Sequence, residues 1–209
     1  QEYSQYKFDG KIEKVKGTIG GSNVITSKEN LKQYLEQDRV ALHIERKKPR
    51  IIGDEIWKFQ IALRKYEYYL NVSGGMLHKL KMILAYLRYH RLAVALGLTI
   101  PPNVFDRGLS IAHAGSIVIN NKARVGQNCR IHPGVTIGAT NGVNEAAKIG
   151  DNCYLGSGAK IIGDIHIADG VAIGANAVVV KSIIENNTTW AGVPARKVSN
   201  NASLINMYN

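Results

Sequence analysis

The sequence predicts a mainly β protein, a left-handed parallel β-helix preceded by a small α-helical region. Three observations support this prediction. Aliphatic residues recur at every sixth position after residue 120, a small or branched residue follows four positions later, and glycine often follows the aliphatic directly. Before residue 100 the apolar spacing is helical instead. The aliphatic positions are Val125, Ile131, Ile137, Ile149, Leu155, Ile161, Ile167, Ile173 and Val179.

A six-residue period fits one side of a triangular coil. The aliphatic residue points inward and stacks on the coils above and below, while the small residue fits the corner. Glycine supplies backbone conformations that a Cβ atom would forbid. Cys129 and Cys153 fall on corner positions and in no CxxC pair. We therefore expect two buried structural thiols in a reducing compartment.

The chain of 209 residues divides into four segments by this pattern. Residues 1–24 form a polar leader or extension, and residues 25–98 form the helical region. The β-helix is predicted over residues 99–187, with a C-terminal tail over residues 188–209. Residues 139–148 interrupt the repeat and predict an extruded loop, which is a usual place for a binding site on a rigid scaffold.

Three helices are predicted in the N-terminal half. A capping-box pattern at residues 26–29 begins the first helix. The second runs over residues 54–70, with a stripe that includes Trp57 and Tyr68. The third runs over residues 76–96, and Gly97 caps its C-terminus.

The formal net charge is +11, and the basic residues cluster at positions 45–50 and 79–91. This charge is compatible with a solvated surface, a polyanionic ligand or an anionic membrane surface. Nucleic acid is not expected as a partner, because no RNA-binding motif or DNA-reading helix is present. The sequence shows no signal peptide, and charges interrupt its longest apolar stretch. We expect a cytoplasmic protein, with peripheral contact at the inner face of the membrane left open.

Three segments, Leu109–Gly115, Gly134–Gly138 and Ala191–Arg196, resemble the serine acetyltransferase branch of the hexapeptide acyltransferases. The likeness covers residues 92–198. Residues 113–120 are also similar to enzymes that O-acetylate exopolysaccharide and capsule sugars. The resemblance implies an O-acetyltransferase with acetyl-CoA as co-substrate and no metal, assembled as a homotrimer.

The resemblance implies that His113 is the catalytic base. A histidine can take the proton of an alcohol as the alcohol attacks a thioester carbonyl. Counting back by six from Ile119 places His113 in an inward position of the coil. His132 lies nineteen residues later, about one coil on, so we expect the two histidines to be neighbours. His132 is a candidate for acceptor binding, and an ordinary surface histidine is the alternative.

The chain departs from the serine acetyltransferases in its acceptor site. The aspartate that pairs with the family's histidine is missing, and Asp106 is the nearest substitute. Glu145 and Ala146 stand where the family holds the carboxylate of its substrate, and Glu145 would repel it. Glu145 and Ala146 therefore predict a sugar hydroxyl as acceptor, and Asn141 of the loop is a further candidate for binding the acceptor. Serine O-acetylation and a non-catalytic CoA-binding module are the alternatives.

CoA is expected in the groove between neighbouring coils, where the resemblance implies small residues along the pantetheine and cations at the phosphates. A metalloenzyme of the γ-carbonic anhydrase type is the rival enzyme class, and the two histidines five residues apart that it needs are missing. The candidates for CoA are Gly156, Ala159, Lys160, Gly174, Ala177, Lys181, Arg196 and Lys197.

Overall fold

The computed structural model describes residues 24–140 and 145–201. Its N-terminal region consists of helices α1 (Lys28–Ala41), α2 (Glu55–Asn71) and α3 (Met76–Leu96). The predicted bounds of the helices agree to within two residues. The N-cap of α1 is Ser27, one residue later than the predicted box, because its side chain accepts a hydrogen bond from the Asn30 backbone N–H at 3.0 Å. None of the described helices is long and apolar enough to cross a bilayer.

Short strands follow α3 to the end of the described chain. They are β1 (Leu98–Thr99), β2 (Ser110–Ile111), β3 (Ile117–Ile119), β4 (Arg124–Val125), β5 (Arg130–Ile131), β6 (Thr136–Gly138), β7 (Lys148–Ile149), β8 (Tyr154–Leu155), β9 (Lys160–Ile162), β10 (His166–Ile167), β11 (Ala172–Ile173), β12 (Val178–Val179), β13 (Thr189–Ala191) and β14 (Arg196–Ser199).

These strands form three sheets, which are the three sides of a left-handed parallel β-helix. Sheet A has the order β1-β3-β6-β9-β12, sheet B has β10-β7-β4, and sheet C has β14-β13-β11-β8-β5-β2. The chain runs from sheet C to sheet A to sheet B in each coil, which defines the C–A, A–B and B–C corners. Every pairing is parallel except that of β13 with β14.

The inward positions of the coil match the predicted register. All nine aliphatic residues of the six-residue series are at most 4% exposed, and they belong to one continuous hydrophobic core. Cys129 and Cys153 are buried free thiols at corner positions. The predicted β-helix fold is confirmed.

The coil extends beyond the predicted boundary at residue 187. Strand β13 pairs with β11 and places Trp190 opposite Ile173. This partner is seventeen residues further along the chain and is not aliphatic, so the six-residue pattern does not reveal it. Part of the predicted tail, residues 188–209, therefore belongs to sheet C.

A fully buried arginine joins the helices to the first coil. The Arg64 guanidinium on α2 donates from Nε to Asp38 Oδ2 at 2.8 Å and from Nη1 to Glu67 Oε2 at 3.0 Å. It also donates to the carbonyl oxygens of Phe105 and Asp106, at 2.8 Å and 2.7 Å. The ion pairs satisfy a charge that would be costly to bury alone. This cluster fixes the orientation of α1 and α2 on the β-helix.

Candidate active site at the corner between sheets C and A

A two-residue insertion at the C–A corner brings His113 to the surface. Ile111 and Ile131 are paired at a separation of twenty residues, whereas Val118 and Thr136 are paired at a separation of eighteen. The first coil therefore holds two more residues at this corner than the next. The predicted inward position of His113 is wrong, because Ile111 fills the core there and the extra residues carry His113 outward, where it is exposed.

His113 faces His132 of the next coil, as the spacing predicted. Their ring centroids are 6.3 Å apart in an edge-to-face arrangement, and the His132 ring lies 5.0 Å from the ring of Tyr154. Within the described ranges, neither ring nitrogen of His113 has a hydrogen-bond partner in the chain. The imidazole is therefore available to a hydroxyl group that approaches the corner.

The environment of His132 favours its neutral form. Burial lowers the pKa of His132, and the positive charges of Arg130 and His113 lower it further. Its Nε2 atom is buried without a hydrogen-bond partner among the described residues. The Arg130 guanidinium donates to Ser110 Oγ at 3.0 Å, which places a cation on sheet C beside the two histidines.

Asp106 does not act as the partner of His113. It lies after the bridge of Phe105 with Val125, at the B–C corner, and is 5% exposed. Its Oδ1 accepts the backbone N–H of Arg107 at 2.7 Å, and its carboxylate accepts the hydroxyl of Tyr34. Burial and this hydrogen bond raise the pKa of Tyr34. The prediction of Asp106 as a site residue is wrong, because the helices of the N-terminal region cover it.

The loop residues lie at another corner. Glu145 is exposed and precedes β7, so it stands at the A–B corner, across sheet A from His113. Ala146 is completely buried, so its methyl group cannot contact a ligand at the surface. Asn141 lies outside the described residues. One copy of the chain therefore does not bring Glu145 to His113.

Two of the predicted small residues line the active corner, and two do not. His132, Gly156 and Gly174 occupy equivalent positions at the C–A corner of three successive coils. The backbone N–H of each donates to a carbonyl oxygen of the following coil. Ala159 and Ala177 are completely buried in the core. Both methyl groups point inward, so these two residues can offer CoA only their backbone, and their predicted place along the pantetheine stays a prediction.

The predicted phosphate-binding cations are dispersed. The Lys160 ammonium lies on sheet A and donates to Thr136 Oγ1 at 3.1 Å and to the Gly134 carbonyl oxygen. Lys197 on β14 is paired with Glu185. Arg196 donates only to the adjacent Ala195 carbonyl oxygen, at 3.3 Å, within the described chain. Lys181 is exposed and forms no ion pair in the described ranges.

Arg130 and Tyr154 lie beside His132 and are not among the site residues predicted from the sequence. Both immediately precede an inward aliphatic, and they are paired with each other across β5 and β8. Counting one position back from Ile131 and Leu155 would have placed them on the outer face of sheet C. Among the described residues, no three His, Cys, Asp or Glu side chains are grouped to hold a metal ion.

Fold and sequence comparisons define the class of the protein. Residues 146–181 match the bacterial transferase hexapeptide family (six repeats). A serine acetyltransferase of Staphylococcus epidermidis is 30% identical over 174 residues, which are 82% of this chain and 76% of that protein. With its β-helix and exposed corner histidine, the protein is a hexapeptide acyltransferase, as predicted.

Solved structures agree with this class. Serine acetyltransferase from Brucella abortus strain S19, in complex with coenzyme A, superposes with a TM-score of 0.64 at 26% identity, covering 84% of this chain and 70% of that one. The Neisseria gonorrhoeae serine acetyltransferase in complex with serine superposes with a TM-score of 0.59 at 28% identity. The match covers 82% of this chain and 70% of that one. The chain belongs to the serine acetyltransferase family. The likeness to exopolysaccharide O-acetyltransferases stays a prediction.

Proposed function

We propose that the protein transfers the acetyl group of acetyl-CoA to a hydroxyl group, with His113 as general base. The observation that supports this most directly is an exposed imidazole at the C–A corner that the described chain leaves without a hydrogen bond. A general base needs one ring nitrogen that is open to the hydroxyl of the acceptor, and His113 has one. The fold comparison with a coenzyme A complex supports the donor.

The reaction needs one proton acceptor and one polarised carbonyl. The imidazole of His113 takes the hydroxyl proton as the oxygen attacks the thioester carbon. The tetrahedral oxyanion is stabilised by hydrogen-bond donors. When the C–S bond breaks, the imidazolium returns the proton to the sulfur, so the products are the acetyl ester and CoA with a free thiol. His132, favoured in its neutral form, adds no positive charge of its own beside His113.

The pantetheine arm of CoA fits the column below His132. Gly156 and Gly174 leave that part of the corner without side chains, so an extended ligand approaches the backbone there. Both glycines also serve the fold, because a Cβ at Gly156 would lie 2.8 Å from the Ala175 nitrogen. Lys181 and Arg196 are the exposed cations that we propose for the phosphates.

Serine is the acceptor that the comparisons favour. The Staphylococcus epidermidis relative and the solved neighbours are serine acetyltransferases, and one of the latter is a serine complex. Arg130 lies beside His132 and supplies a positive charge for a substrate carboxylate. A guanidinium binds a carboxylate with charge-assisted hydrogen bonds.

A saccharide hydroxyl is the second candidate. It rests on Glu145, an exposed carboxylate in the loop region, and on Ala146, which presents no polar group. A carboxylate facing the carboxylate of serine would weaken its binding, whereas it accepts hydrogen bonds from sugar hydroxyls. Tyr154, whose ring is tilted against that of His132 at 5.0 Å, offers an apolar ring near the base.

We further propose a homotrimer with its sites between subunits. His113 and Glu145 lie at opposite edges of sheet A, so a site that contains both requires the loop of another copy. Val118 on the outer face of sheet A and Val180, which directly follows β12, are also exposed. Light scattering that gives a stable monomer at micromolar concentration contradicts the trimer.

An acceptor panel tests the proposal. The purified protein is assayed with labelled acetyl-CoA against L-serine, nucleotide sugars and polymeric glycans. An efficiency with L-serine of about 10⁴ M⁻¹s⁻¹ or more supports serine. Transfer to a glycan with little serine activity supports the second candidate, and Glu145→Arg should then improve the residual serine activity without changing CoA affinity. CoA binding without transfer to any acceptor contradicts both and supports a binding module.

A further inference from the structure

Helix α3 presents an apolar face to solvent in addition to the face that packs on α2. Its inward face carries Tyr89, which stacks on Tyr66 with ring centroids 5.4 Å apart and donates to the Ile100 carbonyl oxygen at 2.8 Å. The opposite face consists of large apolar side chains that are 49% to 89% exposed. They are Met76, Leu77, Leu80, Ile83, Leu84, Leu87 and Val94.

Met76 to Leu87 supply most of one apolar stripe, and Val94 lies on the same side of the helix beyond Arg91. At 100° per residue, positions 76, 80, 83, 84, 87 and 94 fall on the same side of an α-helix. The helix has 21 residues and is therefore about 31 Å long. Scattered apolar side chains on a surface are ordinary, whereas a contiguous stripe of this length marks an interaction surface.

Basic side chains border the stripe on both sides. Lys81 and Arg88 lie along one edge, Lys79 and His90 lie along the other, and Arg91 lies within it. The helix contains no Asp or Glu. The four Lys and Arg residues form no ion pairs within the described ranges.

The charges beside the stripe favour an anionic lipid surface over a second copy of α3 as its binding partner. A second α3 packed on the first would bring eight like charges together with no carboxylate on either helix. An anionic lipid surface is complementary to both parts of the face, because the apolar stripe enters the acyl boundary while Lys and Arg reach the headgroups. We propose that α3 docks the protein on an anionic membrane surface, lying in the plane of the interface.

Vesicle co-sedimentation tests this proposal with the purified full chain. The vesicles are phosphatidylcholine with and without about 30% phosphatidylglycerol, an anionic lipid. We expect binding to the anionic vesicles and little binding to the neutral ones. Lys81→Glu with Arg88→Glu should lower partitioning by more than about fivefold for each side chain. The same charge change at Lys28 and Lys122, away from α3, should have a much smaller effect.

A second pair of variants tests the apolar stripe. Leu84→Ser with Leu87→Ser should lower partitioning by about tenfold or more per side chain. Ile184→Ser with Val198→Ser removes exposed apolar groups from the coil instead and should leave partitioning unchanged. Circular dichroism checks that all variants are folded.

Two outcomes overturn the proposal. The first is an absence of binding to anionic vesicles. If the Leu84 and Leu87 variant then also differs in molecular mass from the wild type, α3 is an interface between copies of the chain. The second is an equal loss of binding in the α3 charge variant and its control, which shows that only the net charge of the protein matters. Acetyltransfer activity does not enter any of these results, so they stand apart from the proposed function.

Discussion

His113 and His132 stand on successive coils with their rings 6.3 Å apart, although their side chains differ in exposure and environment. His113 is carried outward by two extra residues, whereas His132 sits in the regular coil with Nε2 buried. A solenoid thus brings a histidine to its surface by lengthening one corner, while the same corner of the next coil keeps its regular length.

The depressed pKa of His132 predicts an acid-sensitive contribution to stability. In the unfolded chain a histidine binds a proton near pH 6.5, whereas the folded state resists protonation of His132 because burial, Arg130 and His113 disfavour the charged form. Its contribution is therefore fully present above about pH 6.5 and is lost as pH falls through the lower folded value. His132→Gln should lose less stability than the wild type between neutral and mildly acidic pH, as measured by urea unfolding. Parallel losses in both proteins would contradict this.

Breaking the buried ion pair at the helix–coil junction should be costly. Asp38 accepts from Arg64 and also from the backbone N–H groups of Gly108 and Leu109, at 2.8 Å and 2.9 Å. Asp38→Ala leaves a buried guanidinium without one of its carboxylates and should cost about 3–5 kcal/mol in the free energy of unfolding. Glu36→Ala on the same helix, at an exposed position, is the control and should cost under about 1 kcal/mol.

The two glycines of the active corner should differ in their tolerance of alanine. A Cβ at Gly156 would meet backbone atoms of the next coil at 2.8 Å, whereas one at Gly174 would meet the Ala191 Cβ at 3.1 Å. Gly156→Ala should therefore destabilise the protein by about 1–3 kcal/mol, and Gly174→Ala by less. Thermal unfolding of both variants measures the difference, and an equal or reversed order would contradict the inter-coil contact described above.

Both thiols should be unreactive in the folded protein. Burial raises the pKa of Cys153 to about 12, and burial and the neighbouring Cys153 raise the pKa of Cys129. Since the thiolate is the reactive form, a disulfide reagent at about pH 8 should label neither residue until the chain unfolds. Rapid labelling of one thiol in the native protein would show that the coil opens at that corner.

The sequence predicts the repeating part of the molecule well because the period itself carries the information. All nine aliphatic positions of the coil agree with the structure, as do the start of α1 and both ends of α2 and α3 to within two residues. The errors occur where the period changes. His113 is displaced by the two-residue insertion, and Trp190 continues the coil with a shortened repeat.

The site was harder to predict because its members come from different corners. Spacing placed His132 beside His113, since one coil separates them. The six-residue spacing of the coil does not show that the helices cover Asp106. The residues that contact Asp106, Tyr34 and Arg64, are distant from it in the sequence. Arg64 is a charged residue within a helix, and nothing in its local pattern reveals its complete burial.

The most direct test of the central claim is acetyl transfer by His113→Ala, with His166→Ala, an exposed histidine on sheet B, as the matched control. Both variants are assayed with labelled acetyl-CoA and the best acceptor of the panel, and CoA binding is measured by calorimetry. The account predicts that His113→Ala loses about two to four orders of magnitude in turnover while binding CoA normally, and that His166→Ala retains full turnover. Near-normal turnover in folded His113→Ala would contradict the assignment of the catalytic base.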